Sequence, residues 1–226
     1  MRVMLSWSSG KDSAWTLHAL RQSGARVAGL LTTFNESAGR VAMHAVRRDL
    51  VEAQAEAAGA PLVAVDLPSP CPNVEYEARM GAAIARMRAD GVTHMAFGDL
   101  FLRDVREYRE RMLEGSGIEP LFPIWSAPKK TPALAREMMR AGIGAVLTCV
   151  DPKQIPSELC GRAYDREFLG ELPPTADPCG EKGEFHTFCH SGPMFSQPLF
   201  TDARLRAGET LTRGGFTFTD FAAEAV

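Results

Sequence analysis

Six consecutive residues near the amino terminus, Ser8-Ser9-Gly10-Lys11-Asp12-Ser13, have the types and order that phosphate recognition requires. They fall between a short apolar run, Arg-Val-Met-Leu-Ser-Trp, and a segment with helical spacing. A helix start offers unpaired N–H groups and the positive end of its dipole, so it attracts phosphate. Gly10 lets the backbone approach a ligand closely, and Ser8, Ser9 and Ser13 add hydroxyl donors. Lys11 brings a positive charge. Asp12 either holds Mg²⁺ or orders the loop, because an anion does not itself attract phosphate. The Gly-x-x-x-x-Gly-Lys-Ser/Thr spacing of the Walker loop is absent.

Further along lie other residues whose types could do chemistry. Gly98-Asp99 closes an apolar run, which makes Asp99 a second candidate Mg²⁺ ligand beside Asp12. Glu181 and Glu184 stand in the glycine-flanked stretch Cys179-Gly180-Glu181-Lys182-Gly183-Glu184-Phe185-His186-Thr187. Either glutamate can bind a cation or take a proton, with His186 assisting, or is a surface carboxylate beside a satisfied histidine. Met43 and His44, with Thr33 and Phe34, either line an adenine pocket or fill core. Arg47 can reach a phosphate from the helix that follows. Arg103, Arg106, Arg109 and Arg111 alternate with Asp104, Glu107 and Glu110, which reads as a solvated helix face laced with ion pairs. Cys149 reads as core, and burial is expected for Cys179.

Elements must place these residues together. Strands are expected over residues 2–7, 27–34, 61–67 and 92–97, with helices over 14–23, 46–58 and 74–90 between them. That alternation means a parallel sheet covered on both faces. Ligands of such sheets bind beyond the carboxyl ends of the strands, where both the 8–13 loop and Gly98-Asp99 fall. Beyond residue 126 prolines cluster; a helix over 132–141, a strand over 144–150 and short strands over 184–189, 195–200 and 215–221 follow. The fold class is thus α/β, a doubly wound parallel sheet in residues 1–126 with a smaller C-terminal α+β lobe in residues 127–226.

Composition narrows the function classes. In 226 residues the net charge is −3, which argues against general nucleic-acid binding. Five widely spaced cysteines suggest neither a disulfide framework nor a zinc site. No run approaches the ~20 apolar residues of a membrane helix, and a reducing cytoplasm is the expected location.

The 8–13 loop resembles the Ser-Gly-Gly-x-Asp-Ser signature of the N-type ATP pyrophosphatases, departing from it at Ser9, where glycine is commonest. With Met43-His44, Gly98-Asp99, Glu119-Pro120-Leu121 and the 179–187 run, the whole chain is similar to the diphthine–ammonia ligase family, in its bacterial branch. The resemblance implies a HUP-type (adenine nucleotide α-hydrolase) fold, ATP and Mg²⁺ as cofactors, and an AMP-forming amide ligase. It implies Lys11, Asp12, Asp99, Glu181 and Glu184 as catalytic candidates, Ser8 to Ser13 with Gly98 around the nucleotide, and Glu119 with Glu181, Glu184 and His186 around the substrate. The acceptor is then a small-molecule or protein-borne carboxylate, the donor ammonia or another amine, and paired subunits are common in the superfamily. Two other readings stay open: a tRNA-modifying relative, and a nucleotide-binding module without catalysis.

Overall fold

The computed structural model describes residues 1–42, 44–200 and 205–223. Met43, expected beside adenine, lies outside the described residues. The amino-terminal half alternates as expected: β1 (Arg2–Ser6), α1 (Lys11–Gln22), β2 (Arg26–Asn35), a short β3 (Arg40–Val41), α2 (Arg48–Ala57), β4 (Leu62–Leu67), α3 (Asn73–Ala89), β5 (His94–Ala96), α4 (Arg103–Leu113) and β6 (Glu119–Leu121). Strands β4, β2, β1, β5 and β6 pair in parallel in that order, and β3 adds an antiparallel edge to the end of β2. The chain winds outward from β1 in both directions, so the topological switch point falls between β1 and β5. A crevice opens there at the carboxyl ends of strands. The loops that leave these two strands are the 8–13 loop and Gly98-Asp99.

Both faces of the sheet are buried. Val3 and Leu5 of β1 point into one cluster with Leu17, Leu30 and Leu50; Met4 points into the other with Met80, Ile84 and Met95. A strand covered on both sides has no polar face, which explains its unbroken apolar run.

The remainder builds an antiparallel sheet, β8-β7-β10-β9, from β7 (Gly144–Val150), β8 (Phe185–Ser191), β9 (Leu205–Arg213) and β10 (Phe216–Ala223). Helices α5 (Thr131–Arg140) and α6 (Arg166–Glu171) flank it. Leu147, Phe168 and Phe188 belong to the same core cluster as Leu5 and Phe34, so one continuous core joins the two sheets. Among the described residues, no helix is long and apolar enough to cross a membrane.

Two expectations need correction, and β9 has no counterpart among the expected strands. Residues 195–200 form bends rather than a strand. Their hydrogen bonds run to distant backbone instead of a ladder: Ser196 N–H to Ala57 O and Leu199 N–H to His190 O. Strand β9 is exposed over residues 207–213 and lacks the buried alternation by which strands are read. Helix α1 begins at Lys11, three residues earlier than expected, because Gly10 is extended (φ −83°, ψ 171°) and acts as its N-cap. Lys11, Asp12 and Ser13 therefore form the first helical turn.

Candidate active site

The 8–13 loop leaves β1 and turns through Ser9, which has a left-handed φ of 69°. That is the position where the resemblance expects glycine. The conformation is held from two sides: Ser9 O accepts hydrogen bonds from Gln54 Nε2 (2.9 Å) and from the Cys189 N–H of β8 (2.9 Å). Ser9 Oγ is buried and unpartnered among the described residues. A serine held there carries left-handed strain and an orphaned hydroxyl, each costing on the order of 1 kcal/mol. Ser9→Gly is therefore expected to stabilise the fold by about 1 kcal/mol in urea unfolding. Ser9→Ala relieves only the hydroxyl and should gain less; a destabilised Ser9→Gly protein would contradict the assignment of strain.

Helix α1 receives no side-chain cap from its own N-cap residue. Strand β8 supplies one instead, as the Lys11 N–H donates to Thr187 Oγ1 (3.1 Å). Thr187 also crowds Gly10: a Cβ there would lie 3.1 Å from Thr187 O. Gly98 packs equally closely, since its Cβ would meet the Asp12 backbone at 3.1–3.2 Å. Two glycines thus allow β8 and the β5 loop to close on the start of α1.

Lys11 is 1% exposed. Its ammonium donates to both Asp12 oxygens (2.8 and 3.1 Å) and to the Cys179 carbonyl, and lies over the Tyr164 and Phe185 rings at 5.2 and 5.4 Å. Burial would lower its pKa, but the Asp12 carboxylate outweighs that, so Lys11 is held above its ordinary value and stays charged. Burial, with Asp177 and Asp99 nearby, raises the Asp12 acid against the pull of Lys11.

One cavity of about 230 Å³ is lined by Ser8, Gly10, Lys11, Asp12, Ser13, His44, Gly98, Asp99, Glu181 and His186. Asp99 is raised by burial and opposed by Arg109, whose Nε lies 3.4 Å from Oδ2. Glu181 Oε1 accepts from the N–H groups of Leu100 (2.7 Å) and Phe101 (3.1 Å), fastening the 177–184 loop to the turn that leads into α4. Burial still pushes its acid up, to about 7. His44 and His186 meet at 4.2 Å between ring centroids. Burial lowers His44 to about 4 and drives His186 well below its usual value, so both imidazoles are neutral at pH 7.

The raised Glu181 acid makes stability depend on pH with a definite sign. The folded state binds this proton more tightly than the unfolded chain, so its contribution is fully present below about pH 4.5 and is lost as pH rises to about 7. Thermal midpoints of wild type and Glu181→Gln, compared between pH 4 and 8, should differ by an amount that changes through this window. A constant difference would contradict it.

Several expected site residues stand elsewhere. Glu184 is fully buried and does not line the cavity; its oxygens accept from the Asp177 N–H (2.6 Å) and the Lys182 N–H (2.9 Å). Each oxygen accepts one bond from within the 177–184 loop and so orders it. Glu119 lies at the amino end of β6, 80% exposed beside His94, at the opposite edge of the sheet from the cavity. Phe34 is core, with the Arg48 guanidinium 4.1 Å from its ring centroid, and Thr33 is not part of the cavity wall. Arg47 pairs with Asp220 of β10 rather than facing the phosphate loop.

Three contributors were missed. Thr187 ends the 179–187 run, yet a lone threonine in a strand carries no capping signal. Gln54 was legible: it interrupts the apolar stripe Leu50, Val51 and Ala55 of α2, and a buried polar residue needs partners. It accepts from Trp7 Nε1 (2.8 Å) and donates to Ser9 O and Cys189 O. Arg109 was read with its neighbours as surface; Arg106–Glu110 fits that reading, but Arg109 turns inward to the cavity.

A parallel sheet split at β1, with a glycine-bearing loop and helix N-terminus at the split, defines a PP-loop nucleotide-binding protein of HUP-like fold with a C-terminal lobe. Residues 1–120 match the family model of the diphthamide synthase N-terminal domain, and the chain belongs to that family, an ATP-utilising one. No curated protein matches the chain. Among solved structures it is similar to a predicted subunit of tRNA methyltransferase from Methanocaldococcus jannaschii, at 19% identity and a TM-score of 0.42, over 64% of this chain and 77% of that one.

Proposed function

We propose that the protein splits ATP into AMP and pyrophosphate to activate a carboxylate, and that ammonia or an amine then displaces AMP to leave an amide. One observation carries the reading. A PP-loop helix start shares its cavity with three desolvated carboxylates, Asp12, Asp99 and Glu181. Asp12 and Asp99 are each met by a cationic side chain, Lys11 and Arg109, and both keep oxygen atoms on the cavity wall. Their oxygen donors suit Mg²⁺, which commonly takes one or two carboxylates and fills its shell from phosphate and water. Asp12 and Asp99 would hold it, and when bound it neutralises phosphate charge.

The chain's own residues account for the rest. The Asp12 and Ser13 N–H groups of the first turn of α1, with the Ser8 and Ser13 hydroxyls, bind phosphate oxygens, while the Lys11 N–H stays with Thr187. In the first step an acceptor carboxylate oxygen attacks the α-phosphorus and pyrophosphate leaves. In the second, the amine nitrogen attacks the activated carbonyl carbon; AMP departs with the C–O electron pair, and the nitrogen gives up a proton. Glu181 takes that proton. Its Oε1 is fixed by two backbone N–H groups, while Oε2 has no hydrogen-bond partner among the described residues. An acid near 7 suits transfer at neutral pH. The neutral imidazoles of His44 and His186 face the same cavity without adding charge.

The withdrawal of Glu184 from the cavity is the feature a non-catalytic nucleotide module would share; Glu181 on the wall is one such a module does not need. ATP–pyrophosphate exchange separates the two. Exchange that a carboxylic acid stimulates supports activation. Tight ATP binding with no exchange over a broad pool of carboxylates and carboxylate-bearing proteins favours the module.

A further inference from the structure

The cavity has a second end that the phosphate chemistry does not use. It runs from the 8–13 loop past Gly98 and Asp99 to α4, where Leu102, Val105 and Arg109 form its wall. These positions are spaced i, i+3 and i+7, so they make one helical stripe turned toward the cavity. Phe97 lies behind this wall, 1% exposed and stacked on Phe122 in the core.

Arg109 differs from Lys11, the other full cation on this wall. Lys11 is committed to Asp12 and the Cys179 carbonyl. Arg109 makes one long contact, from Nε to Asp99 Oδ2 at 3.4 Å. Its plane lies near the Phe97 ring (5.1 Å) and the Tyr108 ring (5.9 Å). Asp99 and these rings orient the guanidinium, while neither terminal nitrogen makes a hydrogen bond among the described residues. A planar fork with two spare donors matches a carboxylate in bidentate geometry, which an ammonium does not.

We propose that Arg109 is the acceptor clamp: it binds the substrate carboxylate, and Leu102 and Val105 pack an apolar carbon segment beside it. This rests on the activation reading above and narrows its substrate to acids whose carboxylate adjoins an apolar body. Arg109 then sets specificity and positions the acceptor.

The test uses the full chain with Mg²⁺ and α,β-methylene ATP, which cannot be cleaved between those phosphates. Butyrate, hexanoate and phenylacetate are compared with their amides by ligand-observed NMR, and nucleotide affinity is measured by calorimetry. At least one acid is expected to bind while its amide does not. Arg109→Gln should weaken that acid at least tenfold and leave nucleotide affinity within twofold. Val105→Glu, which leaves Arg109 in place, should weaken the acids as well by charge repulsion at the wall. The proposal is overturned if no acid binds, if acids bind Arg109→Gln as they bind wild type, or if that variant loses nucleotide affinity instead, which would make Arg109 a phosphate ligand. Because nothing is cleaved, the result is independent of the activation reading: acid binding with no pyrophosphate exchange would sink that reading alone.

Discussion

Lys11→Met is expected to destabilise the protein by about 3 kcal/mol, and Lys11→Met/Asp12→Asn to recover most of that loss. Lys11 is buried to 1% exposure, and its ammonium is held by Asp12, a backbone carbonyl and two aromatic faces. Deleting one partner of a buried pair strands the other charge, which costs about 3–5 kcal/mol when both are fully enclosed. Asp12 keeps 27% of its side chain in contact with solvent, which places the cost at the lower end. Neutralising Asp12 as well removes the stranded anion. Urea unfolding of the two single variants and the double variant closes a mutant cycle. Additive losses would contradict the pairing. Neither the single nor the double variant should bind ATP as wild type does, because both lose the cation beside the phosphate loop. Restored stability without restored binding separates the two roles of Lys11.

Glu184→Ala is expected to cost about 3 kcal/mol, although Glu184 does not touch the cavity. The buried Asp177 N–H and the part-buried Lys182 N–H would lose their acceptor, each loss on the order of 1–3 kcal/mol, with the larger share at Asp177. The loop they order carries the Cys179 carbonyl that holds Lys11 and the Glu181 carboxylate that grips the turn leading into α4. Activity should fall with stability, through misplacement. Glu184→Gln keeps one acceptor oxygen and should lose about half as much. Hydrogen exchange at the Asp177 and Lys182 amides reads the effect locally. A Glu184→Ala protein of wild-type stability with lost turnover would place Glu184 in the chemistry after all.

The parallel sheet and its crevice were legible because β1, β2 and β4 are short apolar runs separated by helices of clear period. So was the strain at Ser9: an L-residue stands at a turn where the family prefers glycine, and its φ is 69°. The division of labour between Glu181 and Glu184 was not legible. Both sit in one glycine-flanked run, and only the fold shows that one accepts from the Leu100 and Phe101 backbone at the wall, just before α4, while the other turns into the core. Glu119, which the resemblance implies near the substrate, starts β6 at its amino end, whereas the crevice lies at the carboxyl ends of the strands. Arg109 was hidden within a run of four arginines. Facing is set by the helical phase relative to Leu113, the one buried residue of α4, and that phase depends on where the helix begins.

The central claim is cleavage between the α- and β-phosphates. The most direct measurement is to incubate the protein with Mg²⁺, ammonium, ATP labelled at the α-phosphorus and a pool of carboxylic acids, and to resolve the labelled nucleotides over time. Lys11→Met/Asp12→Asn serves as the blank. The account predicts labelled AMP with an equal amount of pyrophosphate, absent from the blank and dependent on an acid of the pool. Labelled ADP with inorganic phosphate would contradict it.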